Sequence, residues 1–271
     1  MYESYWELTA KPFENTPDPR FFYTSSQHEE ALQRLVYGVR ENKGAVMLTG
    51  VFGCGKTLLS QVLLSELDRD VYRVAIITNP MMSALELLRS IATRLGAVDL
   101  PNRKSEILKD VLLDSIQDML MGNYTDGKQT VILIDEMHAI EDKMIFEDLR
   151  MLMNFQLQDR FLCTLIFMGQ PELKKQIELN KQLNQRIAIR YHVQPFNIED
   201  TIAYVSHRVK IAGAARQLFD KASLPVIFQK SGGIPRRINQ ICDMCLFVGS
   251  AQNAKVVTSA LVEEASKSLE G

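Results

Sequence analysis

The eight residues from Gly50 to Thr57, GVFGCGKT, fit the pattern G-x-x-x-x-G-K-[ST] and constrain this chain more than any other feature. They stand between an apolar run suited to a strand (Ala45, Val46, Met47, Leu48) and an amphipathic run suited to a helix (Leu58, Leu59, Val62, Leu63). Glycines at this spacing let backbone N–H groups close around a phosphate without Cβ clashes. The helix that follows turns its positive dipole end toward the same point. Gly50, Val51, Phe52, Gly53, Cys54, Gly55, Lys56, Thr57 and Leu58 are therefore expected to cradle the phosphates of a nucleotide. In this reading Lys56 reaches the β- and γ-phosphates and the Thr57 hydroxyl meets Mg²⁺. A glycine-rich turn with a surface lysine is the plainer alternative, and the strand-before, helix-after setting counts against it.

A second motif, VILIDEMH at Val131–His138, sets two carboxylates after four apolar β-formers. Such a run suits a strand buried on both faces that delivers charge at its C-terminal end. Asp135 is then placed to hold Mg²⁺, directly or through water, and Glu136 to polarise an attacking water. Carboxylates closing a buried strand can also simply cap the next helix, but the pairing with the first motif favours catalysis. The adjacent Asp-Glu points to an ATP-hydrolysing protein with a catalytic glutamate, as opposed to a nucleotide kinase or a Ras-like GTPase.

With 271 residues, 46% of them hydrophobic, the chain can bury the core of one large or two small domains. Its formal net charge of −2 does not announce a nucleic-acid binder, though a local basic patch stays open. The start, MYESYWELTAKPF, lacks a basic segment followed by an apolar run. No stretch reaches the about eighteen uninterrupted apolar residues of a membrane span, so the chain as given is expected to be cytoplasmic. Cys54, Cys163, Cys242 and Cys245 do not suggest a disulfide scaffold. Cys242 and Cys245 form a C-x-x-C inside a helical pattern with Ile238, Ile241 and Leu246, where both read as small core residues. A bulky adduct on Cys54 is expected to block nucleotide, and bound nucleotide to shield the thiol.

The leader KPFENTPDPRFFYTSSQHEEAL runs into a helix near Gln27, with Ser25 or Ser26 as cap and Glu29 and Glu30 in the first turn. Strands are also expected at Val71–Thr78, Cys163–Gly169 and Arg186–Val193, and helices at Ser83–Leu95, Ser105–Met121 and Met144–Phe155. This alternation implies right-handed crossovers and a parallel five-stranded sheet, with its ligand at the strands' C-terminal ends. Beyond Pro195 only helical patterns follow, at 198–211, 222–231, 234–249 and 258–268. The expected division is an α/β domain over residues 1–196 and an all-helical domain over 197–271.

Several segments carry a more specific likeness: KPFENTPDPRFFY at Lys11–Tyr23 with Tyr37-Gly38-Val39 after it, GQPEL at Gly169–Leu173, LNQRIAIR at Leu183–Arg190 and GGIPRRIN at Gly232–Asn239. With these the chain resembles, over nearly its whole length, the AAA+ ATPases of the general secretion pathway protein A (ExeA-type) family. The resemblance implies a P-loop NTPase (AAA+) core with a C-terminal helical lid, nucleotide bound between them, ATP and Mg²⁺ as cofactors, and a homo-oligomer on activation. Gln170 matches the sensor-1 position, facing the γ-phosphate or the attacking water. Arg236, with Arg237 as the neighbouring alternative, resembles the sensor-2 arginine that contacts the phosphates. Arg186, or else Arg190, resembles the arginine finger that completes a neighbouring subunit's site. Asn79 matches polar residues that hold the glutamate in an inactive pose. Phe21, Phe22 and Tyr23 fall near the adenine, or simply in the core.

Family members typically continue into a membrane span and a peptidoglycan-binding region, and the sequence as given has neither. The expected role is an assembly ATPase for an envelope secretion or pilus-like system, at the inner membrane only through a membrane-associated partner. The alternative is a DNA-associated ATPase of the transposition-helper or initiator type. Arg216, Lys221, Lys230, Arg236 and Arg237 would speak for it, although nucleic acid is not the favoured partner. A nucleotide-gated switch with little turnover is the third reading.

Overall fold

The structure, a computed structural model, describes residues 2–98, 100 and 108–270, which gather into two compact units. The first, residues 29–50 and 62–193, is built on five parallel strands. These are β1 (Ala45–Gly50), β2 (Tyr72–Ile77), β3 (Gln129–Ile134), β4 (Cys163–Gly169) and β5 (Ile187–Val193), in the order β2-β3-β4-β1-β5. Every residue of β1 and β4 is buried, as is all of β3 after its first residue, which is what continuous apolar runs produce in strands covered on both faces. The edge strands β2 and β5 carry Arg73 and Arg190 and stay partly exposed. Thr49 pairs with Gly169 and Ile134 with Phe167, so β1, β3 and β4 end together along one edge of the sheet.

Helices α2 (Ser26–Arg40) and α3 (Lys56–Glu66) flank β1 in the chain, and α4 (Ala84–Leu95) and α5 (Lys109–Thr125) lie between β2 and β3. Ser83 and Glu86 cap α4 reciprocally, and Gly96 ends it in the left-handed region. Leu87, Leu88, Ile91 and Ala92 on its inner face join the core with Leu112 and Ile116 of α5. The expected helix start at Ser105 lies outside the described residues. After α6 (Met144–Leu152) and β4 come two helices the sequence pattern does not suggest, α7 (Glu172–Leu179) and α8 (Lys181–Arg186). Each is too short for a period to show, and Asn180 separates them, its side chain accepting the Leu183 N–H at 3.0 Å. As a result Arg186, expected to open the last strand, instead closes α8, and β5 begins at Ile187.

The second unit takes in the chain up to His28, residues 51–61 and everything from Gln194 onward. Helices α9 (Ile198–Ile211), α10 (Ser223–Ser231), α11 (Pro235–Ala251) and α12 (Ser259–Glu270) surround a core of Phe196, Tyr204, Ile227, Ile241, Leu246 and Val262. Cys242 and Cys245 are buried in it. The leader belongs to this core. Trp6, from the short helix α1 (Tyr2–Trp6), and Phe13 are 1% and 2% exposed, and a side chain of this kind contributes about 1.5–3 kcal/mol by burial. Trp6 Nε1 donates to Leu246 O and Tyr5 OH to Ala254 O, both at 2.8 Å. Arg208, itself buried, donates to Glu14 O at 3.1 Å and stacks its guanidinium 4.8 Å from the Phe21 ring centre. A boundary drawn at residue 196 groups the leader with the sheet, whereas these contacts group it with the helices.

Candidate functional site

The segment after β1 turns through Gly53 and Gly55, with φ of +85° and +90°, a region that penalises any side chain. Gly53 has a second reason to be glycine: a Cβ there would stand 2.8 Å from the Cβ of Arg236. Arg236 follows Pro235 at the head of α11, and its N–H donates to Gly53 O at 3.2 Å. Its guanidinium lies 4.6 Å from the centre of the Phe52 ring. Of the two adjacent arginines, Arg236 is thus the one set against the loop. Lys56 is 5% exposed and folds its Nζ back onto Val51 O at 3.2 Å. Thr57 stands exposed in the first turn of α3, and Leu58 is half-buried behind it.

One residue of this loop's surroundings carries no motif. His28 is buried beneath the loop, its Nε2 3.0 Å from Cys54 O and its Nδ1 2.7 Å from Ser25 Oγ. A neutral ring protonated on Nε2 satisfies both contacts, donating to the carbonyl and accepting from the hydroxyl. Burial holds His28 below the ordinary histidine value, and the bond to Cys54 O works against that only in part. Unfolded His28 takes up its proton near pH 6.5, so its contribution is present above that pH and is lost as pH falls through the lower folded value. His207, also lowered by burial, acts in the same direction. Urea unfolding at about pH 7.5 and about pH 5.5 should therefore show stability falling with acid, and falling less in His28→Gln. An identical fall in both proteins would count against a neutral buried His28.

Cys54 alters one expectation. Its side chain is fully buried, and burial pushes the thiol up to about 11, against the pull of the Lys56 charge. The thiol faces the interior and is overwhelmingly protonated, so slow alkylation follows with or without nucleotide. The Cys54 side chain therefore takes no part in the loop's exposed surface.

The acidic turn after β3 is built within the sheet unit. Asp135 is 4% exposed, and its Oδ1 accepts the Glu136 N–H at 2.8 Å. Glu136 takes a left-handed backbone, φ 54° and ψ 30°, leading into a 3-10 turn at Met137–Ala139. Its carboxylate lies 3.3 Å from His138 Nδ1, and Gln170, just past β4, sits 2.8 Å from His138 Nε2 through its side-chain nitrogen. Asn79, matched to a glutamate-holding position, instead accepts the Met81 N–H at 3.1 Å in its own turn. Arg186 donates to Asn154 Oδ1 at 2.6 Å and Arg190 to Asn184 O, so each is held at the end of α8 or along β5. A cavity of about 860 Å³ opens beside the turn, walled by His138, Ile140, Phe146, Gln176 and Leu179.

Mg²⁺ takes one or two protein oxygens where water and phosphate supply the rest. The Asp135 carboxylate at the end of β3 and, in the other unit, the exposed Thr57 hydroxyl are each an oxygen donor of that kind.

A phosphate loop between β1 and α3, followed by a strand closing in Asp135-Glu136 on a parallel sheet, defines an α/β P-loop protein of the AAA+ fold. The chain belongs to the AAA domain family, which matches residues 39–177. It is 36% identical over 274 residues to the General secretion pathway protein A of Aeromonas hydrophila, a match covering 100% of this chain and 49% of that protein. The chain thus spans about half the length of that relative. Among solved structures it is similar to the ORC2 protein of Aeropyrum pernix, in ADPNP–ADP complexes, with TM-score 0.70 at 16% identity over 95% of this chain and 71% of that chain. Cdc6p of Pyrobaculum aerophilum gives 0.73 at 17% identity over 93% and 70%. The RuvB Holliday junction branch migration motor of Thermotoga maritima gives 0.61 at 17% over 91% and 70%. At such identities these three speak for the fold alone.

Proposed function

We propose that the chain is an ATP-hydrolysing AAA+ module that drives or regulates assembly of an envelope secretion or pilus-like system. The observation that carries this reading is the 36% identity, along the entire chain, to General secretion pathway protein A. Residues 50–58 hold the phosphates, with Lys56 neutralising the β- and γ-groups and Arg236 reaching them from the head of α11. Thr57 and Asp135 hold Mg²⁺, which supplies charge neutralisation when bound. Glu136 orients and deprotonates the attacking water, and Gln170 faces the γ-phosphate. Positioning and electrostatics carry this mechanism. No helix among the described residues is long and apolar enough to cross a membrane, and the reading assigns membrane contact to a partner.

The rival, a DNA-associated ATPase, draws on the fold likeness to a branch migration motor. Its basic residues are partly engaged elsewhere: Lys230 pairs with Glu263 at 2.9 Å, Arg216 donates to Lys255 O, and Arg236 lies on the loop. Phosphate release from Mg·ATP, with and without duplex DNA, separates the two. The secretion reading expects turnover indifferent to DNA, and the rival expects stimulation that fades steeply with salt. No turnover in either condition would sink both.

Arg186 tests assembly. As an arginine finger it acts on a neighbour's nucleotide, so activity per subunit should rise with concentration. Arg186→Ala should bind ATP normally, hydrolyse it slowly, and regain activity when mixed with Lys56→Ala, whose intact finger serves the other's intact pocket. Such rescue requires a head-to-tail interface. Specific activity independent of concentration, without rescue, would leave Arg186 a surface residue tied to Asn154.

A further inference from the structure

We propose that His138 is a positioning residue that ties Glu136 to Gln170 and sets the pose of the water-activating carboxylate; the inference rests on the hydrolytic reading above. Left-handed backbone is uncommon for a glutamate and persists where its surroundings hold it. Here Asp135 Oδ1 takes the Glu136 N–H, while Glu136 O accepts from Ala139 N at 2.9 Å and Met137 O from Ile140 N at 3.1 Å. The resulting tight turn swings the His138 ring back beside the carboxylate, Nδ1 to Oε2 at 3.3 Å. The opposite ring nitrogen meets the Gln170 side chain at 2.8 Å. Two further observations show that the turn is gripped from the side of β4 and α7. Gln176 Nε2 donates to His138 O at 3.1 Å, and a Cβ on Gly169 would stand 3.2 Å from His138 N and 3.0 Å from Leu173 Cδ2. Glycine at the end of β4 is what lets the turn close in.

Charge decides which nitrogen carries the proton. With Nδ1–H the ring turns a positive N–H edge toward the Glu136 carboxylate and accepts the Gln170 amide at Nε2, and both contacts are attractive. With Nε2–H the ring accepts the Gln170 backbone N–H at Nδ1, 3.3 Å away, and can donate to a Gln170 amide turned to present its oxygen, but a lone pair on Nδ1 then faces the carboxylate. The Nδ1–H form is the one proposed, because the carboxylate 3.3 Å from Nδ1 favours a proton there. One carboxylate oxygen is then held by the ring and the other is left to meet water. Gln170 stops the ring from turning, so the sensor position and the catalytic base move as one piece.

The test combines kinetics with the ring's own signal. His138→Ala should lower kcat about 10- to 100-fold while KM for ATP stays within about two-fold, the pattern of a displaced base with intact binding. His138→Asn, whose amide nitrogen can take the place of Nδ1, should recover part of the loss. Combining His138→Ala with Gln170→Ala should slow the enzyme no further than the larger single effect, because the two act through one link. Additive losses, or an Asn variant no better than Ala, would overturn the proposal in favour of simple packing. In the nucleotide-free protein, ¹⁵N imidazole spectra should show His138 protonated on Nδ1, with that signal shifting in Gln170→Ala and Glu136→Gln. An Nε2–H ring would overturn it. If wild type shows no hydrolysis yet the Nδ1–H signal responds to both substitutions, the hydrolytic reading falls while the tie itself is supported. If wild type hydrolyses ATP and His138→Ala keeps its rate, this inference alone fails.

Discussion

Replacing Glu136 by Gln should leave ATP bound and cut its hydrolysis about 10²-fold or more. The amide keeps the shape of the carboxylate, and the strained turn at φ 54° is held by backbone and by Asp135, which the substitution does not touch. On the proposed reading the lost quantity is the basicity that draws a proton from water. Titration calorimetry should therefore return a near wild-type affinity, while single-turnover hydrolysis collapses. A variant that hydrolyses at the wild-type rate would strip Glu136 of its role.

Lys56→Ala should fail at the earlier step and bind no ATP at working concentrations. On the proposed reading its ammonium neutralises the β- and γ-phosphates, and nothing else in GVFGCGKT is cationic. The loop's glycine turns and the Arg236 contact to Gly53 O do not depend on this side chain, so the fold should persist. Thermal unfolding gives a direct reading. A ligand present at 100 times its Kd stabilises by about 2.7 kcal/mol, so ATP should raise the melting temperature of wild type and leave Lys56→Ala unmoved. An ATP-dependent shift of equal size in both would refute the phosphate-loop assignment.

The expected strands and most of the longer helices are where the sequence pattern puts them, because each rests on a signal that local chemistry makes strong. Buried parallel strands need unbroken apolar runs, and VILI and CTLIFM supply them. Capped amphipathic helices such as α4 advertise both ends through Ser83 and Gly96. What the pattern did not show depends on length or on contacts distant in sequence. α7 and α8 are too short to display a period, so the pattern puts Arg186 at the start of a strand. The leader's place in the helical core depends on Trp6 meeting Leu246. At the site, motif residues announce themselves, whereas His28 and His138 do not. Each matters through a partner, Cys54 O or Gln170, that only folding brings alongside.

The strand order has a temporal consequence. Ala45, at the start of β1, finds its ladder partners in Leu165 on one side and Ile187 on the other. A ribosome delivers chains from the N-terminus, so the strand that leads into the phosphate loop waits, unpaired on both edges, until most of the chain has emerged. Trp6 waits longer still, for Leu246. Neither unit can close early, and contacts so distant along the chain favour slow folding with AVML exposed in the meantime. During synthesis the segment most central to nucleotide chemistry is also among those most open to misassociation, and nascent chains of this protein should lean on chaperones until β5 arrives.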